Sequence, residues 1–379
     1  MSTTLSVAAP TESAAHVRWD TWLFSRRADL SLMLLPLLLA GGAAVLAGWF
    51  GGSGASHPVR LANWTAQNVL GNATHGVLTY LLFWAHPQTL DAVPGQKRIV
   101  LWGSAAMVGV GGLFFLTSGW NREAHTLIVL VIFNVFGLHH TLSQHKGFWA
   151  LHSLRGRGAG VEVGALERRL QQSYVPILLV LLMLRLFFIS ESDGRAFLDV
   201  GQGSALLPRE TLGLLLLGWV GYFAVLFRTL LRSAVTSGPK LLYVSAFAFG
   251  TWLVLVQPMY GSVVLPGMHG LEYYLLTARM LKPDASDPAP RLSARRVVPA
   301  MVLVMLPIFA LGLYSAFVSP AVSDAPVAPG GGLAPTVVMR ALACLALGLG
   351  LAHYFADAFI YRLRLPGVRA AMLPRLRLG

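Results

Sequence analysis

Cysteine is nearly absent. Cys344 is the only one in 379 residues, which excludes an intramolecular disulfide and any cysteine-built zinc site. Charge is scarce as well: Asp, Glu, Lys and Arg make up 12% of the chain, against about 25% in a soluble domain. No polar stretch is long enough to enclose a core of its own. There is no nucleophile elbow, Walker loop or dinucleotide fingerprint. The nearest glycine cluster, Gly109, Gly111 and Gly112, falls inside an apolar run, where it reads as a site of close helix packing.

What the chain has instead is apolar length. It is 55% hydrophobic, and runs of roughly twenty residues, enough to cross a bilayer core of about 30 Å, recur from end to end. The pattern predicts an all-α, polytopic integral membrane bundle. The spans read approximately 30–50, 64–86, 99–119, 124–146, 174–190, 210–230, 241–257, 262–281, 298–318 and 336–361. Residues 241–281 hold either two spans or one span and a re-entrant segment, with breaks near Gln257-Pro258 and Pro266-Gly267. Residues 1–29 read as a mobile tail, 30–361 as one transmembrane domain, and 362–379 as a basic tail.

The net charge of +13 follows from topology and does not call for a nucleic-acid partner. Lys and Arg gather on cytoplasmic loops. With ten spans and both termini cytoplasmic, most of them fall inside, while Arg60, Arg122, Arg195 and Arg209 fall outside. Arg185 lies within a span, where it either pairs with Glu191 or Asp193 or snorkels outward. Lysine occurs only at 97, 146, 240 and 282, and Ala, Leu and Gly dominate. This composition points to a G+C-rich bacterial chromosome, and so to a bacterial inner membrane.

Polar residues inside the spans carry the functional signal, because each costs several kcal/mol at membrane depth unless paired or ligated. Asn68, Asn72, His75 and Thr79 form one helical stripe. His139 and His140 are adjacent, about 100° apart on their helix, so one ligates while the other hydrogen-bonds, or each serves a different ion. Gln144 shares a face with His140. His145, next to Lys146, reads most easily as solvated near the interface. His269, Glu272 and Tyr273 share one face, as do His353 and Asp357 one turn apart. The expected metal ligands are His75, His139, His140, His269, His353 and Asp357, with Asn72, Gln144 and His145 as outer partners. Glu272 and Tyr273 are the candidate catalytic groups, Glu272 as base or further ligand.

Imidazole with carboxylate suits iron, and also zinc, copper or manganese. The Thr-His-Gly of residues 74–76 and the HH-x3-QH of residues 139–145 resemble the membrane polyhistidine oxygenases, nearest in style the carotene-cleaving dioxygenases of the Brp/Blh type. The similarity covers under a tenth of the chain, and the HxxxH and HxxHH boxes of desaturases and fatty-acid hydroxylases are absent. The resemblance implies non-haem iron, one or two ions, and oxygenation of an isoprenoid or other lipophilic substrate in the bilayer, with an electron donor if the chemistry needs one. Three other readings stay open: a proton-coupled transporter, a haem protein using His125 and His139, and a structural role. Oligomeric state is not readable.

Overall fold

A proline and two glycines shape the middle of the chain. The computed structural model describes residues 16–50, 95–117, 122–191, 196–198, 205–280, 348–359 and 366–376, together with Ala62, Ala66, Gly76, residues 78–80, Leu345 and Leu378. It is mostly helical. The helices are α1 (Arg26–Phe50), α2 (Gln96–Thr117), α3 (Arg122–Arg157), α4 (Ala165–Phe187), α5 (Thr211–Leu231), α6 (Gly238–Val256), α7 (Pro258–Met280), an unlabelled helical stretch at 348–359, and α8 (Pro366–Arg375). Among the described residues, α1, α2, α4, α5 and α6 are long and apolar enough to cross a membrane. The helices α3 and α7, which carry His140, His145, His269 and Glu272, are not among the five. Spans 64–86 and 298–318 lie largely or wholly outside the described residues.

Residues 241–280 form two helices, α6 and α7. Ser237 caps α6 by accepting from Lys240 N at 3.2 Å, with Pro239 in its first turn. Pro258 disfavours helical geometry for the residue before it, and Gln257 accordingly sits at φ −143°, ψ 76°. The chain reverses there. A Cβ on Gly261 would lie 2.4 Å from Val254 N, and one on Gly250 would lie 2.8 Å from Leu265 Cδ2. These contacts pair α6 and α7 as a close antiparallel hairpin that only hydrogen in place of a side chain permits. The second expected break, Pro266-Gly267, does not occur: both residues lie within the continuous helix α7.

Both expected tails are tied down in part. His16–Arg18 (β1) pairs in parallel with Val235–Ser237 (β2). Ser25 caps α1 by accepting from Ala28 N at 3.2 Å, and buried Asp29 accepts from Leu23 N and Phe24 N. At the other end, Val368, Met372 and Leu376 of α8 and its edge join the main core, and Arg279 Nε donates to Arg375 O at 2.8 Å.

These contacts gather chain segments on one face. The strands β1 and β2 lead into α1 and α6, Arg155 Nε from the end of α3 donates to Trp22 O, and α8 meets the end of α7. The α6–α7 turn lies at the far face, where Arg185 donates to Leu255 O and pairs with Glu191 at 2.6 Å. Lys240 is buried in the first turn of α6. Its Nζ meets both oxygens of Glu167 at 2.9 and 3.1 Å, and Trp149 and Ser153 donate to the same carboxylate. Beside this pair Trp149, Tyr174, Tyr243, Phe223 and Phe247 stack edge to face or tilted, the close aromatic packing that holds helices together where water supplies no drive. Leu38, Trp49, Trp102, Leu116, Leu214 and Leu217 point outward, an apolar surface suited to lipid.

Gly109 and Gly112, expected at a packing contact, meet no described neighbour. Gly103 fills that role, since a Cβ there would overlap the ring of Phe355 at 2.1 Å.

Candidate metal centre

Three helices bring three imidazoles together. One ring nitrogen from each of His140 on α3, His269 on α7 and His353 on the 348–359 helix lies within 4.8 Å of the others. His269 and His353 are buried and His140 nearly so. His269 sits eleven residues from each end of α7, so the cluster lies at mid-depth of that helix. The His140 ring stands nearly perpendicular to both partners, with centroids 4.9 Å from His269 and 5.0 Å from His353.

Asp357 closes a fourth side. Its Oδ2 is 3.5 Å from His140 Nε2 and 3.4 Å from His353 Nε2. These separations are long for hydrogen bonds. An ion held tetrahedrally about 2.1 Å from each donor would space the donors about 3.4 Å apart, which is the observed edge. The histidine nitrogens, within 4.8 Å of one another, would draw together by up to about 1.4 Å along their widest edge to reach that spacing. No Lys or Arg pairs with Asp357 among the described residues, so a cation at this point would supply the charge that a carboxylate at this depth requires.

Thr79 sets the orientation. Its Oγ1 lies 2.9 Å from Tyr273 Oη, 2.9 Å from His353 Nδ1 and 2.7 Å from Asp357 Oδ1. A hydroxyl donates once and accepts twice. All three contacts are bonds when Thr79 donates to Asp357 and accepts from Tyr273 and His353. That assignment puts the His353 proton on Nδ1 and leaves Nε2 with its lone pair toward Asp357 and the other histidines. Gly76 packs against the His353 ring, where a Cβ would lie at an ordinary contact distance of 3.5 Å.

A second cluster holds α3 to α6 and α7. Glu272 is fully buried. It accepts from Gln144 Nε2 at 2.8 Å and from the Tyr243 hydroxyl, and His145 Nδ1 lies 2.7 Å from it. Gln144 Nε2 also donates to His269 O at 2.7 Å, so this cluster grips the backbone of a candidate ligand. The carboxylate of Glu272 is occupied by these donors and does not enter the three-histidine set. His145 is fully buried, which corrects its reading as an interfacial, solvated residue: it faces α7 and not the headgroups. Tyr273 turns to Thr79 while Glu272, its neighbour, turns to His145, so the face shared in sequence serves two clusters.

The remaining expected residues stand apart. His139 is exposed and lines a groove outside the cluster. His75, Asn68 and Asn72 lie outside the described residues, as does the His125 side chain. Two participants carried no local signal. Tyr243 sits on a helix without a polar stripe, and Tyr354, whose ring is 4.5 Å from His140, neighbours His353 without sharing its spacing.

The groove has a volume of about 1110 Å³. His140, Asp357, Tyr273 and Tyr354 border it, and the rest of its wall is mainly apolar, including Phe136, Leu151 and Met372. On α3 the lining runs from Phe136 to Leu151, a length of about 22 Å at about 1.5 Å per residue. No protein-family model matches the chain, and no curated protein or solved structure matches it.

Proposed function

We propose that this chain is a membrane-embedded metalloenzyme in which His140, His269, His353 and Asp357 hold a redox metal, iron first, beside a lipophilic substrate. The observation that carries the reading is the Asp357 carboxylate placed 3.4 and 3.5 Å from two imidazole nitrogens, at the wall of a long apolar groove. Bound iron would supply activation of oxygen next to the substrate. Thr79 holds the His353 tautomer, and Gln144 and Glu272 steady the α7 backbone at His269. The proposal includes ten spans with both ends cytoplasmic in a bacterial inner membrane. It is supported by the gathering of the basic segment ends on one face.

The test is elemental mass spectrometry of the protein purified in detergent, with an absorption spectrum of the same sample. One or two irons per chain without a Soret band is the expected result. A Soret band would replace the reading with a haem protein. No metal, even after anaerobic reconstitution with iron, zinc, copper and manganese, would replace it with a proton-coupled carrier, for which Tyr273, Thr79 and Asp357 form a connected hydrogen-bonded path.

A further inference from the structure

Along α3 the groove has a charged level and a metal-site level. His140 and Asp357 mark the second. Lys146 and Gln171 mark the first, both half-buried in the lining. Gln171 Nε2 is buried without a hydrogen-bond partner, and Lys146 pairs with no acid among the described residues. Gln171 Nε2 is a buried donor, and such a donor left unmet costs about 1–3 kcal/mol, while Lys146 adds a half-buried positive charge. Asp357 is the one acid among the described lining residues, so nothing at the Lys146 end repels an anion. Arg157 at the end of α3 and Arg168 and Arg169 in the first turns of α4 are exposed, a basic surface that attracts anionic amphiphiles.

We propose that the groove binds an amphiphile by an anionic head, a carboxylate or a phosphate, held by Lys146 and Gln171, with its apolar chain running along α3 to the His140–Asp357 site. The inference deepens the metalloenzyme reading and rests on its groove. It narrows the substrate class, because a headless hydrocarbon would leave the Gln171 donor unmet and Lys146 without a counter-charge. It also sets a ruler. Lys146 lies six residues beyond His140, about 9 Å along the helix, so the metal site faces the chain interior and not the carbon next to the head.

The full-length protein in detergent is tested for binding of labelled oleic acid, with oleyl phosphate and 1-octadecene as competitors. Oleate or oleyl phosphate should compete at least about tenfold better than octadecene, and Lys146→Gln should remove that advantage. Gln171→Leu should reduce it, and Lys146→Arg should restore it. Preference for oleate assigns a fatty-acid carboxylate, and preference for oleyl phosphate assigns a phospholipid-type head. Octadecene competing equally, or Lys146→Gln binding as the unsubstituted protein does, overturns the proposal. Metal content is measured on the same samples. Head-dependent binding in a metal-free protein would retain this inference while removing the enzyme reading. Metal with no head preference would do the reverse.

Discussion

Thr79 Oγ1 meets His353 Nδ1 at 2.9 Å, so a threonine on one helix sets which nitrogen of a histidine on another is open to a ligand. The same oxygen donates to Asp357. Two of the four proposed metal donors are therefore oriented by one small side chain. Thr79→Val should lower metal affinity about 10–100-fold while Thr79→Ser retains it. Metal titration of the two variants checks this, and equal affinity in both would remove Thr79 from the centre.

Single alanine substitutions of His140, His269 and His353 should each reduce bound metal by more than about 100-fold, beyond the loss of an outer hydrogen bond. His139→Ala should retain metal, because His139 is exposed on the groove. Elemental analysis of the four purified variants decides between them. Metal loss on His139→Ala alone would move the centre.

Lys240→Met should destabilise the protein by about 3–5 kcal/mol, since it leaves Glu167 buried and ionised without its partner. The double variant Lys240→Met with Glu167→Gln should recover most of that loss. Thermal unfolding in detergent reads the difference. Equal midpoints for the single and double variants would mean that the pair is not coupled.

Gly261→Ala should destabilise by at least about 1–3 kcal/mol, because its methyl would enter the Val254 backbone. Gly109→Ala, with no described neighbour within 4 Å, should be neutral or stabilise by up to about 1 kcal/mol through helix propensity. Comparison of the two unfolding midpoints checks the hairpin. Similar values would argue against close approach of α6 and α7.

Glu272→Gln places an amide opposite the Gln144 amide and should loosen the grip on His269 O, with a stability cost of about 1–3 kcal/mol. Hydrogen exchange at the centre of α7 should rise. Unchanged exchange with lost turnover would instead return Glu272 to a catalytic role.

The helices were legible in composition because bilayer thickness imposes a length that apolar runs record directly. The break at Gln257-Pro258 was legible for a similar reason, since proline constrains the residue before it. His140, His269 and His353 were nameable because a histidine in an apolar run stands out. Their meeting was not nameable, because spacing within a helix carries no information about which helices adjoin. The same limit explains Glu272, whose i, i+3 relation to His269 suggested one shared site. Its partners, His145 and Tyr243, come from two other helices and draw it into a separate cluster. The pairing of Lys240 with Glu167 was not legible either, because the two residues stand on different helices.

The amino-acid sequence by itself determined that this chain is helical, apolar on its outside and provided with histidines and acids inside its apolar runs, since each of these is a local property of residue chemistry and length. Tertiary structure alone decided which of those residues converge. The Thr79 hydroxyl, the Asp357 carboxylate and three imidazoles come from four helical segments, and their distances depend on helix packing at Gly76, Gly103 and the α6–α7 hairpin, which no spacing along one helix encodes.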